Sequence, residues 1–255
     1  MAWPFTPLVT FLSKSVPKVT HTFLNSLQAA QNALFAPVYH HRPSIYVEST
    51  NGTQVAVYAA SLTVKDSATG EYVYIEQVGR TVTTTWPVDA WRYLYLVSTS
   101  GVASVEISST APATGIAGPL FKTGDETRRY LCAVRCDPGG NVVKFSMVDG
   151  RYLWLDEHQV LTGGATGTGA WVTLAMPAFV APHARRALLT VRITNSAASV
   201  QGVSFRSFGV GSMPLKVVAN SFAERDLTIP VAGDSMEWNA PATTTIDAIV
   251  RGWEE

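Results

Sequence analysis

From residue 45 onward, apolar residues recur at every second position, in short runs cut by turns. "SIYVES", "TQVAVYAASLTVKD", "EYVYIEQVGRTVTTTW", "WRYLYLVST" and "VASVEISS" are rich in Val, Ile, Tyr and Thr, and "STNGT", "DSATGE" and "STSG" divide them. A period of two belongs to strands, and β-branched and aromatic side chains pack well on a pleated surface. "RYLCAVRC", the turn "DPGGN", "VVKFSMVD", the turn at Gly150 and "RYLWLD" continue the pattern. Almost nothing between 45 and 157 reads as helix. Short strands joined by local turns imply antiparallel meanders packed as a sandwich or barrel.

A glycine-rich stretch, "VLTGGATGTGAW" (160–171), reads as a loop or linker. A second all-β pattern follows it, through "ARRALLTVRITNS", "VSFRSFG", "PLKVVANSF" and "TTTIDAIVRGWEE". The expected architecture is mainly β: antiparallel, jelly-roll-like sandwiches, the first over 45–158 and the second over 159–255. Residues 1–44 differ. After a proline-punctuated arm, "VTHTFLNSLQAAQNALFAP" sets Phe23, Leu27, Ala30 and Leu34 at spacings of 4, 3 and 4, one face of a helix. Thr20 or Thr22 can cap its start, and Pro37 marks its end. Two heptads are too short to be stable alone in water. The helix therefore packs either on its own β domain or on the same helix of neighbouring subunits.

Nineteen basic and nineteen acidic residues cancel, so there is no electrostatic reason to expect nucleic acid or an anionic membrane as partner. Charged residues make up 15% of the chain, against roughly 25% in an average soluble domain. So charge-poor an exterior suits a protein covered by other subunits, and equally a plain β sandwich. No segment approaches the roughly 18 to 20 uninterrupted apolar residues of a membrane helix. Residues 1–18 lack a basic region followed by a continuous apolar core, so no signal peptide is expected.

Cys132 and Cys136 invite a metal or redox reading. In a strand, four residues separate their α-carbons by about 13 Å, too far for a disulfide or for one shared zinc. They read as small buried thiols, with "DPGGN" turning a hairpin after them. "GGATGTGA" meets neither the dinucleotide nor the Walker pattern. Asp125 and Glu126 in "GDET", and Asp156, Glu157 and His158 in "LDEHQ", are neighbours in extended chain and point to opposite faces. No G-x-S-x-G elbow is present. The reading is a protein with no catalytic residues, no metal and no cofactor.

The aromatics are more informative. Tyr93 and Tyr95 share one strand face, opposite Leu94 and Leu96, so "YLYLV" reads as buried on both sides, by a second sheet or by another subunit. Trp86, Trp91 and Trp171 are candidate exposed contacts, since large, rigid, half-polar rings anchor interfaces and stack on sugars.

The chain resembles structural proteins of tailed bacteriophage, especially tail-fibre and related virion-appendage proteins. "PKVTHTFLNSLQAAQNAL" resembles the short helix that opens many of them. "WRYLYLV" and "VEISSTAPATG", then "RRYLCAVRCDPGGNVVKF", resemble a recurring β module, and "IDAIVRGWEE" resembles its closing strand. In that module's hairpin a glycine often precedes "AVR" and a threonine follows; Cys132 and Cys136 stand there in this chain. The resemblance implies a virion structural protein of tail-fibre, head-fibre or decoration type, assembled in the host cytoplasm. It further implies a homo-oligomer, usually a trimer, held to other virion proteins through the N-terminal segment, with Phe23, Leu27, Ala30 and Leu34 as anchor contacts. The alternative is a carbohydrate-binding module recognising a bacterial surface glycan on the same particle.

Overall fold

Alternation in sequence becomes alternation in burial at the first described strand, where Val47 and Ser49 are buried while Tyr46 faces water. The computed structural model describes residues 45–49, 51–59, 62–113 and 121–255. The expected arm and helix over 1–44, with Phe23, Leu27, Ala30 and Leu34, lie outside the described residues. The chain passes through β1 (Ile45–Ser49), β2 (Gln54–Ala59), β3 (Leu62–Lys65), β4 (Tyr72–Ile75), β5 (Val78–Thr83), β6 (Ala90–Thr99) and β7 (Val102–Ser108). It continues through β8 (Phe121–Lys122), β9 (Asp125–Cys136), β10 (Phe145–Val148), β11 (Arg151–Thr166) and β12 (Val172–Ala175). β13 (Arg186–Asn195), β14 (Gln201–Ser207), β15 (Val210–Val217), β16 (Ser221–Pro230), β17 (Ser235–Asn239) and β18 (Thr244–Glu254) follow.

The protein is mainly β, and the strand pairs within its sheets are antiparallel. An eight-stranded sheet runs β16-β13-β18-β11-β10-β1-β2-β5. Register puts Val57, Val47, Met147, Tyr152, Trp253 and Ala187 in one inward row across it. Two four-stranded sheets, β7-β6-β9-β8 and β12-β17-β14-β15, and a two-stranded sheet, β3-β4, accompany it. Trp91 of β6 meets Trp154 of β11 and Trp253 of β18 across the gap between sheets. One continuous apolar core joins the layers.

The division expected at 158/159 falls inside β11, and this is a correction. β11 pairs with β18 on one side and β10 on the other, so both halves of the chain share one hydrogen-bonded sheet. Residues 41–255 form one compact unit. The glycine-rich stretch is also strand as far as Thr166, bulged against β18 at several points. Gly164 takes a positive φ, and its N–H donates to Asp247 Oδ1. Just past the strand's end, a side chain on Gly167 would lie 2.2 Å from the Ala240 carbonyl oxygen.

"DPGGN" turns the chain as expected, with Asp137 Oδ1 accepting the Gly139 and Asn141 amides. It does not join a hairpin. β9 pairs with β6 and β8, whereas β10 pairs with β1 and β11, so the turn carries the chain from one sheet to the facing one. Only a bridge between Cys136 and Val142 closes it. In β6, Tyr93 through Val97 are all buried. The second cover comes from the chain itself: β3 lies against β6 and β9, and the Tyr95 hydroxyl donates to Thr110 O.

Gly252 permits the central pairing. A Cβ there would stand 1.8 Å from the Tyr152 carbonyl oxygen, where the Tyr152 and Trp253 rings stack at 3.8 Å and 9°. Gly252→Ala forces two backbones apart, so it should destabilise by at least the 1–3 kcal/mol or so typical of overpacking. Chemical denaturation of parent and variant checks this, and an unchanged midpoint contradicts it.

Candidate functional site

The tryptophans expected as exposed contacts are taken up by packing. Trp86 is buried and its Nε1 donates to Thr53 O at 3.0 Å, which corrects the expectation for that residue. Trp91 is half-buried, donating to Pro177 O at 2.8 Å. Trp171 is half-buried beneath the Arg206 guanidinium, 3.9 Å from its ring, and Arg206 is tied to Glu237 at 2.8 Å. The three do not share a face. The sequence showed rings at strand positions, but face depends on bulges and sheet changes that period counting does not reveal.

The carboxylates are dispersed. Asp125 accepts from Thr127 and pairs with Arg128, Glu126 pairs with Lys65, Asp156 with Lys144 and Glu157 with Arg251. Each sits beside a cation, the environment of a structural charge. Among the described residues no group of three or more His, Cys, Asp or Glu is placed to hold a metal. Both cysteines are buried free thiols of β9. Burial pushes the Cys136 thiol up to about 11 and that of Cys132 well above its ordinary value. A thiol held protonated is a poor nucleophile.

Sequence reasoning missed a buried polar cluster between the sheets. Glu255 Oε1 accepts the Tyr130 hydroxyl at 2.5 Å and the Tyr152 hydroxyl at 3.1 Å, with His183 Nε2 at 3.5 Å. The Tyr152 oxygen in turn accepts the Ala133 amide at 2.7 Å. Both phenols are pushed well above their ordinary value, first by burial and then by the Glu255 carboxylate. His183 Nδ1 is buried without a partner. The cluster ties the end of β18 to β9, β11 and the 180s loop. It is closed to solvent, so it serves as a clasp. The residues lie far apart in sequence, and no spacing announces them. A second buried carboxylate, Asp66, accepts the Gly101 amide, the Ser98 hydroxyl and the Ala68, Thr69 and Ser100 amides, which hold its carboxyl well below the usual range.

The outer face of the eight-stranded sheet has two unlike halves. Towards β16 it is ionic. Arg251 donates to Glu157 at 2.7 Å and to Thr190, Thr190 donates to Asp226, Arg192 pairs with Glu224, and Glu254 lies between Arg151 and Arg186. Towards β2 it is apolar. Tyr58, Tyr46 and Val148 follow one another across paired strands, and Leu153 and Leu155 extend the patch onto β11. Exposure there runs from 36% at Tyr46 to 52% at Leu155. The two tyrosine rings lie near parallel, 6.0 Å apart at 28°, and the Tyr46 hydroxyl donates to Glu48 at 2.5 Å.

No family model and no curated protein matches the chain. Among solved structures it is similar to an exo-beta-1,3-galactanase from Phanerochaete chrysosporium with galactose: TM-score 0.25, 12% identity, 82% of this chain and 68% of that one. It is similar also to a Bacillus thuringiensis Cry1Da tryptic core variant: TM-score 0.23, 12% identity, 82% of this chain and 50% of that one. A third is an Arthrobacter globiformis isomalto-dextranase complexed with panose: TM-score 0.24, 13% identity, 82% of this chain and 36% of that one. Likeness this slight carries no argument.

The clasp makes stability fall in alkali. Tyr130, Tyr152 and Cys132 hold their protons in the fold, while the unfolded chain releases them near ordinary values of roughly 8.5 for Cys and 10 for Tyr. Above that range the unfolded state binds fewer protons than the native one, so stability declines as pH rises and is unaffected by these groups below it. Melting followed together with tyrosinate absorbance should show the buried phenols ionising only on unfolding; a melting temperature constant through the range contradicts it. Tyr152→Phe strands the Ala133 amide and should cost about 1–3 kcal/mol, read by urea denaturation.

Proposed function

We propose that this chain is a non-catalytic structural protein of a tailed-bacteriophage particle, of tail-fibre, head-fibre or decoration type. Its mechanism is assembly. The N-terminal segment, through Phe23, Leu27, Ala30 and Leu34, holds it to other virion proteins, and the single jelly-roll-like β unit that follows it in sequence oligomerises. The observation that carries the reading is the apolar half of the outer sheet face, since a contiguous apolar surface of this kind marks an interaction site. The family resemblance of the aromatic strand, the "DPGGN" turn and the closing strand supports the same conclusion. So do the candidate carboxylates Asp125, Glu126, Asp156 and Glu157, each engaged with a cation instead of converging on a cleft.

A second reading, recognition of a bacterial surface glycan, is favoured by one observation: Tyr46 and Tyr58 are half-exposed beside the Glu48 carboxylate. Glycan-array binding lost on Tyr58→Ala would support it.

Light scattering on the full chain and on a variant lacking residues 1–44 tests assembly. The full chain should have the mass of an oligomer, a trimer by the family resemblance, and the truncated chain should lose that state. A full chain that is monomeric overturns the reading.

A further inference from the structure

Glu48 and Lys144 are the ionic side chains set within the apolar half of the outer face, and they carry opposite signs. Glu48 lies on β1, opposite Ser146 of β10. Lys144 precedes β10, and its carbonyl accepts the Leu155 amide, so the pairing with β11 extends to it. It stands two residues along from Ser146, which makes it a diagonal neighbour of Glu48 at about 7–8 Å between α-carbons. Among the described residues Glu48 makes no ion pair; its bond is with the Tyr46 hydroxyl. Lys144 has only a long contact with Asp156, at 4.0 Å, both side chains about half or more exposed.

We infer that this half-face receives a second copy of the chain, packed face to face about a two-fold axis, with Glu48 of each copy against Lys144 of the other. The inference rests on the assembly reading above and names the surface and partner. A two-fold contact uses the same patch on both copies, so the patch must complement itself. This one does. A two-fold axis parallel to the sheet, lying between the two facing copies and crossing midway between the acid and the base, sets each opposite its unlike charge in the partner. Glu48, held in its own chain by the Tyr46 hydroxyl alone, and Lys144, held by the long contact with Asp156, then each gain an opposite charge across the contact. Tyr46 and Tyr58 supply rigid anchor area beside them, the kind of residue that carries interface energy. Val148, Leu153 and Leu155 supply the surrounding apolar contact. The ionic half of the same face shows the contrast: its charges are already matched within the chain, as on a surface that stays in water.

Charge exchange tests this on the full chain by sedimentation velocity over a wide concentration range. The parent should associate in a step that doubles the mass of the smaller species. Glu48→Lys and Lys144→Glu, each setting like charges in contact, should each raise the concentration of half-association about ten-fold or more. The double variant restores an opposite pair with signs exchanged and should return to the parent value. Both positions are on the surface, so unchanged melting curves confirm that the variants fold. Association insensitive to either reversal, or impaired singles that the double variant fails to rescue, overturns this contact and leaves the assembly reading standing. A parent chain monomeric at every concentration overturns both.

Discussion

The eight-stranded sheet depends on one close approach, that of β11 to β18 at Tyr152 and Gly252. β18 lies between β11 and β13, and no other strand links the β16-β13 pair to the β11-to-β5 block. At the junction a side chain on residue 252 would collide with the Tyr152 carbonyl oxygen. The neighbouring Tyr152 and Trp253 rings stack in the closest and most parallel of the aromatic contacts described. The Glu255 carboxylate then draws the two tyrosine hydroxyls of the clasp together just beyond it. The missing Cβ and the stacked pair thus permit the pairing, from Arg151 to Thr166 along β11, that joins the two ends of the sheet in one hydrogen-bonded surface. The layers laid on its inner face inherit their relation from that junction.

Much of this was legible in the residues. The two-residue period marked nearly every strand from Ile45, because one buried face per sheet leaves that imprint. The double burial of "YLYLV" was readable too, since Tyr and Leu rows cannot both face water. What covers the strand was not, because a covering sheet from the same chain and one from a neighbour impose the same pattern. The "DPGGN" turn was foreseen from its own chemistry, in which Asp137 caps the amides that follow. Its role was misread, since a turn of the same local form serves a hairpin or a change of sheet, and only the long-range pairing of β9 and β10 decides. Gly163 and Gly164 read as linker because glycine weakens strands, yet here bulges against β18 use that freedom.

The candidate surface was the least legible part. Tryptophan drew attention by size, but Trp86 is buried, and Trp91 and Trp171 are half-covered, Trp91 with a hydrogen bond to a carbonyl and Trp171 beneath an arginine. Exposed aromatics of the outer face's apolar half proved to be Tyr46 and Tyr58, on the water side of strands whose alternation was correctly read; Tyr74, Phe208 and Phe222 are exposed elsewhere. Facing could be derived only relative to neighbours in the same strand. Which of two rows looked outward required the partner sheet. The division of the outer face into an ionic half and an apolar half is likewise a product of strand order. β1, β2 and β10 bring their polar-poor rows together from distant parts of the chain.

The place of β18 has a consequence for how the molecule is made. It comes after every other described strand in chain order, yet it is an interior strand of the sheet. A nascent chain that has emerged through β17 can hold β16-β13 and β11-β10-β1-β2-β5 only as two separate hydrogen-bonded fragments, each with a naked edge where β18 will lie. Closure is therefore a late event, and until it occurs those paired edges are open to strands of other nascent chains. The faster β18 inserts, the shorter the time those edges stay exposed.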